Sequence, residues 1–370
     1  MSDARILLIW RGWSESYVWR SGLAEFQDVI CGIDDVDVVT PVTRSRGNGR
    51  LIQAAQWCLR RAGGVTLAFD PRLQPIHIER DYELCCVVAQ GIQDLSILEA
   101  IPNWRSRSRR AVCWIEELWL TEIARETPLA VLRQFDRVVT PFINTADTLS
   151  KMTDVPCDWQ PHGVDAVRFC PGAHPPPRRI DFFSMGRRSE ATHGAIMEYA
   201  NQHGWFYFFD GGYGERVAHM RAHRQRLAEL IKRSRYFLVN KAKVGETKQA
   251  SDQEELACRY FEGAAAGAVL VGDVPQSSSF TKCFDWPDAV FRIPYGSTAV
   301  GNVFDQLETE PERVSAVRRQ NVTQVLRRFD WAYRWQDVLR SVGLAPRNAL
   351  LARLATLAAL VAEVQIAPMA

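Results

Sequence analysis

The chain has 370 residues, of which 47% are hydrophobic and 24% charged, with a formal net charge of +2. That balance excludes a disordered or fibrous chain and suits two domains. It also excludes a global field for nucleic acid, so no nucleic-acid partner is expected and any anion site must be local.

Short apolar runs alternate with amphipathic segments, the rhythm of parallel-sheet α/β units. Strands are expected at Arg5–Trp10, Val36–Thr40, Val65–Phe69, Cys85–Ala89, Ala111–Ile115 and Arg137–Thr140, with helices such as Leu51–Arg61 and Pro128–Phe135 between them. The stretch His162–Arg179 carries Pro171, Pro175, Pro176 and Pro177 and reads as a linker without helix or inner strand. The rhythm then restarts, with strands at Asp181–Met185, Trp205–Phe209, Tyr236–Asn240 and Ala268–Val271 and helices at Thr192–Gln202, Arg216–Ser234 and Gln253–Ala266. From Pro311 onward the pattern is helical. Ala349–Val364, 16 residues carrying Arg353, is shorter than the ~20 a membrane span needs. With Leu350, Leu354, Leu357 and Val361 near one face it is expected to pack on the body, a peripheral membrane contact being the lesser reading. Two Rossmann-like halves follow: a first domain at 1–165, a linker at 166–179, a second domain at 180–335 and C-terminal helices at 336–370. Nine scattered cysteines without CxxC or zinc-ligand spacing, and an N-terminus without leader features, point to a reducing cytoplasm.

Glu254 and Glu262 have seven residues between them, two turns apart on roughly one face of the expected helix. Such carboxylates can accept hydrogen bonds from the vicinal hydroxyls of a sugar and a ribose. Glu254 and Glu255 also suit the solvated acidic start of a helix, whereas Glu262, between Phe261 and a Gly/Ala run, does not. Gly267 suits a helix C-cap. Gly186-Arg187-Arg188 follows a strand and precedes a helix carrying His193, an arrangement suited to an anion. A Gly-rich turn, Asp210-Gly211-Gly212-Tyr213-Gly214, and the end of the first strand, with Gly12 and Glu15, are weaker signals near strand ends. His219 and His223 lack the Glu of a metalloprotease helix, and the run Arg105, Arg107, Arg109, Arg110 reads as a solvated loop or an acceptor-phosphate site. No Gly-x-Ser-x-Gly elbow, P-loop or Asp-x-Asp pair is present, and no metal site is expected.

As a set, these passages resemble the GT-B glycosyltransferases, in particular the family with a Glu-x7-Glu signature. The run Arg259-Tyr260-Phe261-Glu262-Gly263-Ala264-Ala265-Ala266-Gly267 is similar to the R-x-F-E-A-x-A-x-G form of a bacterial branch. Pro161-His162-Gly163-Val164-Asp165 resembles the interdomain passage, with His162 in place of the usual Asn. Asp136-Arg137-Val138-Val139-Thr140-Pro141 resembles the last strand of the acceptor domain, and Phe183-Ser184-Met185-Gly186-Arg187 the strand and loop that open the donor domain. Where the family has a Lys six residues after that Arg, this chain has His193, and Ala257 replaces the usual Gly between the carboxylates.

The resemblance implies an α/β GT-B fold, two Rossmann-like domains facing across a cleft with C-terminal helices packing back. It implies a cytoplasmic, metal-independent hexosyltransferase without cofactor, using a UDP- or GDP-linked sugar and an acceptor that is a glycan, lipid or small molecule. Glu254 and Arg187 would be catalytic. Glu262, His193, Arg188, Lys241, Gly186 and Gly12 would bind the donor, with Arg188, Lys241 or Lys243 compensating for His193. The family mostly retains configuration, the leaving phosphate taking the acceptor proton. Inversion would need a base from Glu15, Asp70, Glu116 or Glu117. A silent nucleotide-sugar-binding protein, suggested by His193 and Ala257, and a nucleotide-sugar epimerase are the alternatives.

Overall fold

The computed structural model describes residues 4–12, 17–42, 73–126, 129–210, 216–246, 250 and 252–367. The expected elements at 51–61 and 65–69, together with Glu15, Asp70 and the glycines after Asp210, lie outside them. The chain divides into two compact units. The first comprises Met1–Ser16, Asp34–Gln160 and Ser341–Leu344; the second comprises Tyr17–Ile33, Pro161–Arg340 and Ala345–Ala370.

In the first unit, β1 (Ile6–Trp10), β2 (Val36–Val39), β3 (Tyr82–Ala89), β4 (Ser108–Ile115), β5 (Arg137–Thr140) and β6 (Cys157–Trp159) form one parallel sheet in the order β2-β1-β3-β4-β5-β6. The centre of this sheet is apolar on both faces because helices cover a parallel sheet twice; β1 is buried along its whole length. Cys85 and Cys113 sit in its core as free thiols. The expected last strand of this half is not the last. After β5 the chain forms a helix, Ile143–Thr153, and adds β6 as a further edge strand. The expected helix over 128–135 is a short 3-10 turn at Leu129–Gln134.

The second unit has a parallel sheet of β7 (Ile180–Ser184), β8 (Tyr207–Phe209), β9 (Ser234–Val239), β10 (Val269–Gly272) and β11 (Phe291–Arg292), in the order β11-β10-β9-β7-β8. Its first helix, α1 (Ser21–Ile33), comes from the N-terminal part of the sequence and packs against α2 (Met220–Lys232) and α3 (Asn348–Ile366). The stretch expected to be free of helix contains one turn, Ala166–Phe169, because Asp165 caps it by accepting from the N–H of Arg168.

Two contacts explain the residues around that turn. Arg353 of α3 forks onto Asp330 at 2.8 and 2.7 Å and reaches Asp165 at 2.7 Å. The helix is 19 residues, longer than expected, and by length and composition apolar enough to cross a membrane. Leu350, Leu357, Val361 and Val364 are nevertheless buried in the second unit, while Leu354 is only half-buried. The second contact is at Gly163, where a Cβ would lie 2.3 Å from the indole of the fully buried Trp331. Gly163→Ala is therefore expected to destabilise the chain by about 1–3 kcal/mol through overpacking. Chemical denaturation checks this, and an unchanged midpoint would show that the indole can move aside.

Candidate functional site

The ends of β7, β8, β9 and β10 in the second unit gather most of the residues singled out above. β7 leads through a loop into α4 (Glu190–His203), which Ser189 caps by accepting from the N–H of Thr192. In that loop Gly186 has φ +71°, a left-handed conformation that favours glycine. Its N–H donates to both carboxylate oxygens of Asp210, at 3.0 and 2.9 Å. Arg188 donates to the same carboxylate at 3.0 Å and to the Asp210 carbonyl at 2.8 Å, with its guanidinium over the Phe209 ring. Arg187 turns to Glu246, 2.5 Å away.

His193 hydrogen-bonds through Nδ1 to the Tyr207 hydroxyl at 2.8 Å, and that hydroxyl meets Ser184 Oγ at 2.8 Å. Burial, aided by the Arg188 charge, holds His193 below the ordinary histidine range. It stands neutral at pH 7, a hydrogen-bonding group and not a cation.

The two glutamates do not share a helix face. α5 runs Cys258–Ala265, so Glu254 lies before it in a non-helical segment. Tertiary hydrogen bonds claim that backbone: Ala242 N–H donates to the Glu255 carbonyl at 2.8 Å, and His162 Nε2 meets the Leu256 carbonyl at 3.0 Å. Glu254 pairs with Lys241 and accepts from the N–H of Gln276 at 2.6 Å. Those contacts outweigh the desolvation that would raise its pKa, and leave it below the ordinary carboxylate value. Lys241 also faces Asp273 at 3.6 Å. Glu255 is not solvated; it is 2% exposed and takes a hydrogen bond from Gln253 at 2.8 Å. Burial pushes its pKa up to about 7.

Glu262, on α5, is 2% exposed and ion-paired with Arg224 of α2. Arg224 in turn holds Glu25 of α1 at 2.8 and 3.0 Å. Burial alone would lower the Arg224 pKa, but the two carboxylates more than offset it and raise it. Glu25 Oε1 also accepts from the Asp165 N–H at 2.8 Å and from Trp331 Nε1 at 3.2 Å. Among the described residues the second oxygen of Glu262 is buried without a hydrogen-bond partner, as is Nε2 of His223, which feels the Glu262 charge. Glu25, Arg224, Tyr207 and Glu246 were not among the expected site residues, and Asp210 was expected only as the start of a Gly-rich turn.

In the first unit, Gly12 has φ +69°, and Thr40 Cγ2 lies 2.0 Å from where a Cβ would be. The turn and Thr40 both require glycine there. Glu116 accepts from Trp114 Nε1 and Glu117 from Trp119 Nε1, each at 2.8 Å. Among the described residues no group of three or more His, Cys, Asp or Glu side chains is placed to hold a metal ion.

Residues 185–340, which carry most of the second unit's site, match a family described as glycosyl transferase-like. No curated protein matches the sequence. The chain is similar in structure to a glycosyltransferase from Rickettsia africae ESF-5, with a TM-score of 0.50 at 10% identity over 91% of this chain and 97% of that one. It is also similar to Anabaena Alr3699/HepE, solved in complex with UDP-glucose, with a TM-score of 0.55 at 10% identity over 92% of this chain and 99% of that one. The fold is thus the α/β, GT-B type of these proteins, with one parallel sheet in each unit.

Proposed function

We propose that the chain is a glycosyltransferase that moves a sugar, most simply a hexose, from a nucleoside diphosphate sugar to an acceptor. The observation that carries this reading is the Glu262 carboxylate, buried, fixed by Arg224 through one oxygen and, among the described residues, without a hydrogen-bond partner at the other. A carboxylate paired with a guanidinium in this way is a strong acceptor for a ribose hydroxyl. The glycosyl transferase-like match over 185–340 and the UDP-glucose held by the Anabaena protein support the same ligand class.

In this reading the anomeric C–O bond breaks with its electron pair left on the diphosphate. Arg187 and the start of α4 would meet that charge without a metal ion. Glu254, fixed by Lys241 and the Gln276 N–H, would accept from sugar hydroxyls. The acceptor oxygen bonds to the anomeric carbon, and its proton passes to the departing phosphate, which retains configuration.

Calorimetry with UDP and GDP tests the donor site. Glu262→Ala and Arg187→Ala should each weaken binding of the preferred nucleotide by about 1.5–3 kcal/mol. If both bind as tightly as the parent, the site is misplaced. Incubation with UDP-, GDP- and dTDP-sugars, followed by mass spectrometry, tests the reaction. Nucleotide release supports transfer; a changed sugar still attached to its nucleotide would mean an epimerase. Tight binding without turnover across many acceptors would mean a binding protein.

A further inference from the structure

The expected cations of the site are already committed. Arg187 is held by Glu246, Arg188 by Asp210, Lys241 by Glu254 and Asp273, and Arg224 by Glu25 and Glu262. These groups set four cations against six carboxylates, which leaves no surplus positive charge for a diphosphate. His193 adds none, being neutral and tied to Tyr207.

Arg259 differs from all of them. It is the second residue of α5 and half-buried, and its guanidinium reaches across to the loop after β7. A Cβ at Gly186 would lie 2.2 Å from Arg259 Nη2 and 2.9 Å from its Cζ, so the guanidinium rests against the Gly186 α-carbon. Among the described residues the Arg259 side chain makes no ion pair or hydrogen bond. A guanidinium carries five N–H donors and no acceptor, and a half-buried one normally finds a carboxylate. Here it is packed instead against the turn that also presents Arg187 and Arg188 and opens α4. The two conformational requirements at Gly186 therefore have one consequence: positive φ shapes the turn, and the missing side chain admits the cation.

We infer that Arg259 is a binding residue for the phosphate groups of the donor, supplying through its N–H fork the charge that His193 does not. This rests on the reading of the chain as a user of nucleoside diphosphate sugars. It assigns the Arg of the Arg-x-Phe-Glu run to the ligand, and leaves Arg188 to hold the loop through Asp210.

The test is calorimetry of the parent, Arg259→Met and Arg259→Lys with three probes: inorganic pyrophosphate, the preferred one of UDP and GDP, and the matching nucleoside. Arg259→Met should weaken pyrophosphate and the nucleotide about 10- to 100-fold while leaving the nucleoside unchanged. Arg259→Lys should recover part of the loss, since it restores charge without the fork. His193→Lys in the Arg259→Met background should also recover part, by returning a cation to the loop. An unchanged nucleotide affinity in both Arg259 variants overturns the inference, as does an equal loss for nucleoside and nucleotide, which would signal a structural role. Should Arg259→Met not fold, Arg259→Lys alone decides by the same comparison. If pyrophosphate binding depends on Arg259 but no nucleotide binds the parent, the inference holds and the proposed function fails. If the parent turns over a nucleotide sugar and Arg259→Met does so with the same KM, the function holds and the inference fails. If the parent binds neither pyrophosphate nor a nucleotide, both fail.

Discussion

Arg224→Met is expected to lower the stability of the chain by about 3–5 kcal/mol at neutral pH, the range for removing one partner of a buried ion pair. Arg224 is 3% exposed and stands between Glu25, 1% exposed, and Glu262, 2% exposed. Without the guanidinium two carboxylates remain in the interior facing one another. Glu25 retains the Asp165 N–H, the Trp331 indole and Arg168 at 3.5 Å, whereas Glu262 loses its ion-pair partner. Denaturant unfolding of Arg224→Met, Glu262→Gln and the double variant separates the terms. The double variant should be more stable than Arg224→Met alone, because it no longer buries an unpaired charge at Glu262. A loss below about 1 kcal/mol for Arg224→Met, or simple additivity in the cycle, would mean that water reaches the cluster and screens it. The same substitution should also weaken nucleotide binding, since it frees the carboxylate proposed to hold the ribose.

That triad was legible in the sequence only in outline. Arg224 falls on the apolar stripe of its helix, between Met220 and Leu227, Ala228 and Ile231, all buried. Glu25 likewise lies among Leu23, Ala24, Phe26 and Val29. A charge on an apolar stripe signals a buried partner, but nothing local says that the partner is 199 residues away. The sheets were more readable, because continuous apolar runs such as β1, β3 and β10 declare buried parallel strands. The edge strands Cys157–Trp159 and Phe291–Arg292 escaped, being three and two residues long and carrying Asp158 and Arg292. Residues 253–257 failed for a different reason. Their composition suits a helix, but the Ala242 N–H and the His162 side chain hydrogen-bond to their carbonyls and hold them out of one, and tertiary contacts override a weak local preference. The spacing of Glu254 and Glu262 therefore implied the wrong geometry between them.

Glu255 was misread with that segment, and its environment leads to a stability that falls as pH rises. Its carboxyl is pushed from the ordinary 4.5 to about 7, mainly by burial, with Gln253, His162 and Ser279 only partly opposing the shift. The folded chain therefore holds this proton more tightly than the unfolded chain. Between pH 4.5 and about 7 the folded state binds more protons, so unfolding becomes easier with each step up in pH. At or below pH 4.5 the group costs little, and above about 7 its cost is complete, on the order of 3 kcal/mol. Glu255→Gln has nearly the same shape and cannot ionise. It should exceed the parent by less than about 1 kcal/mol at pH 5, where little of the cost has yet appeared, and by about 3 kcal/mol at pH 8. Denaturant unfolding of both proteins at half-unit steps from pH 5 to pH 8 measures the difference directly, because every other titrating group is common to the two. Curves that run parallel across this window would show that Glu255 ionises without penalty, with His162 or water meeting its charge. A gap that opens as pH falls would reverse the sign and mean that the folded state prefers the carboxylate.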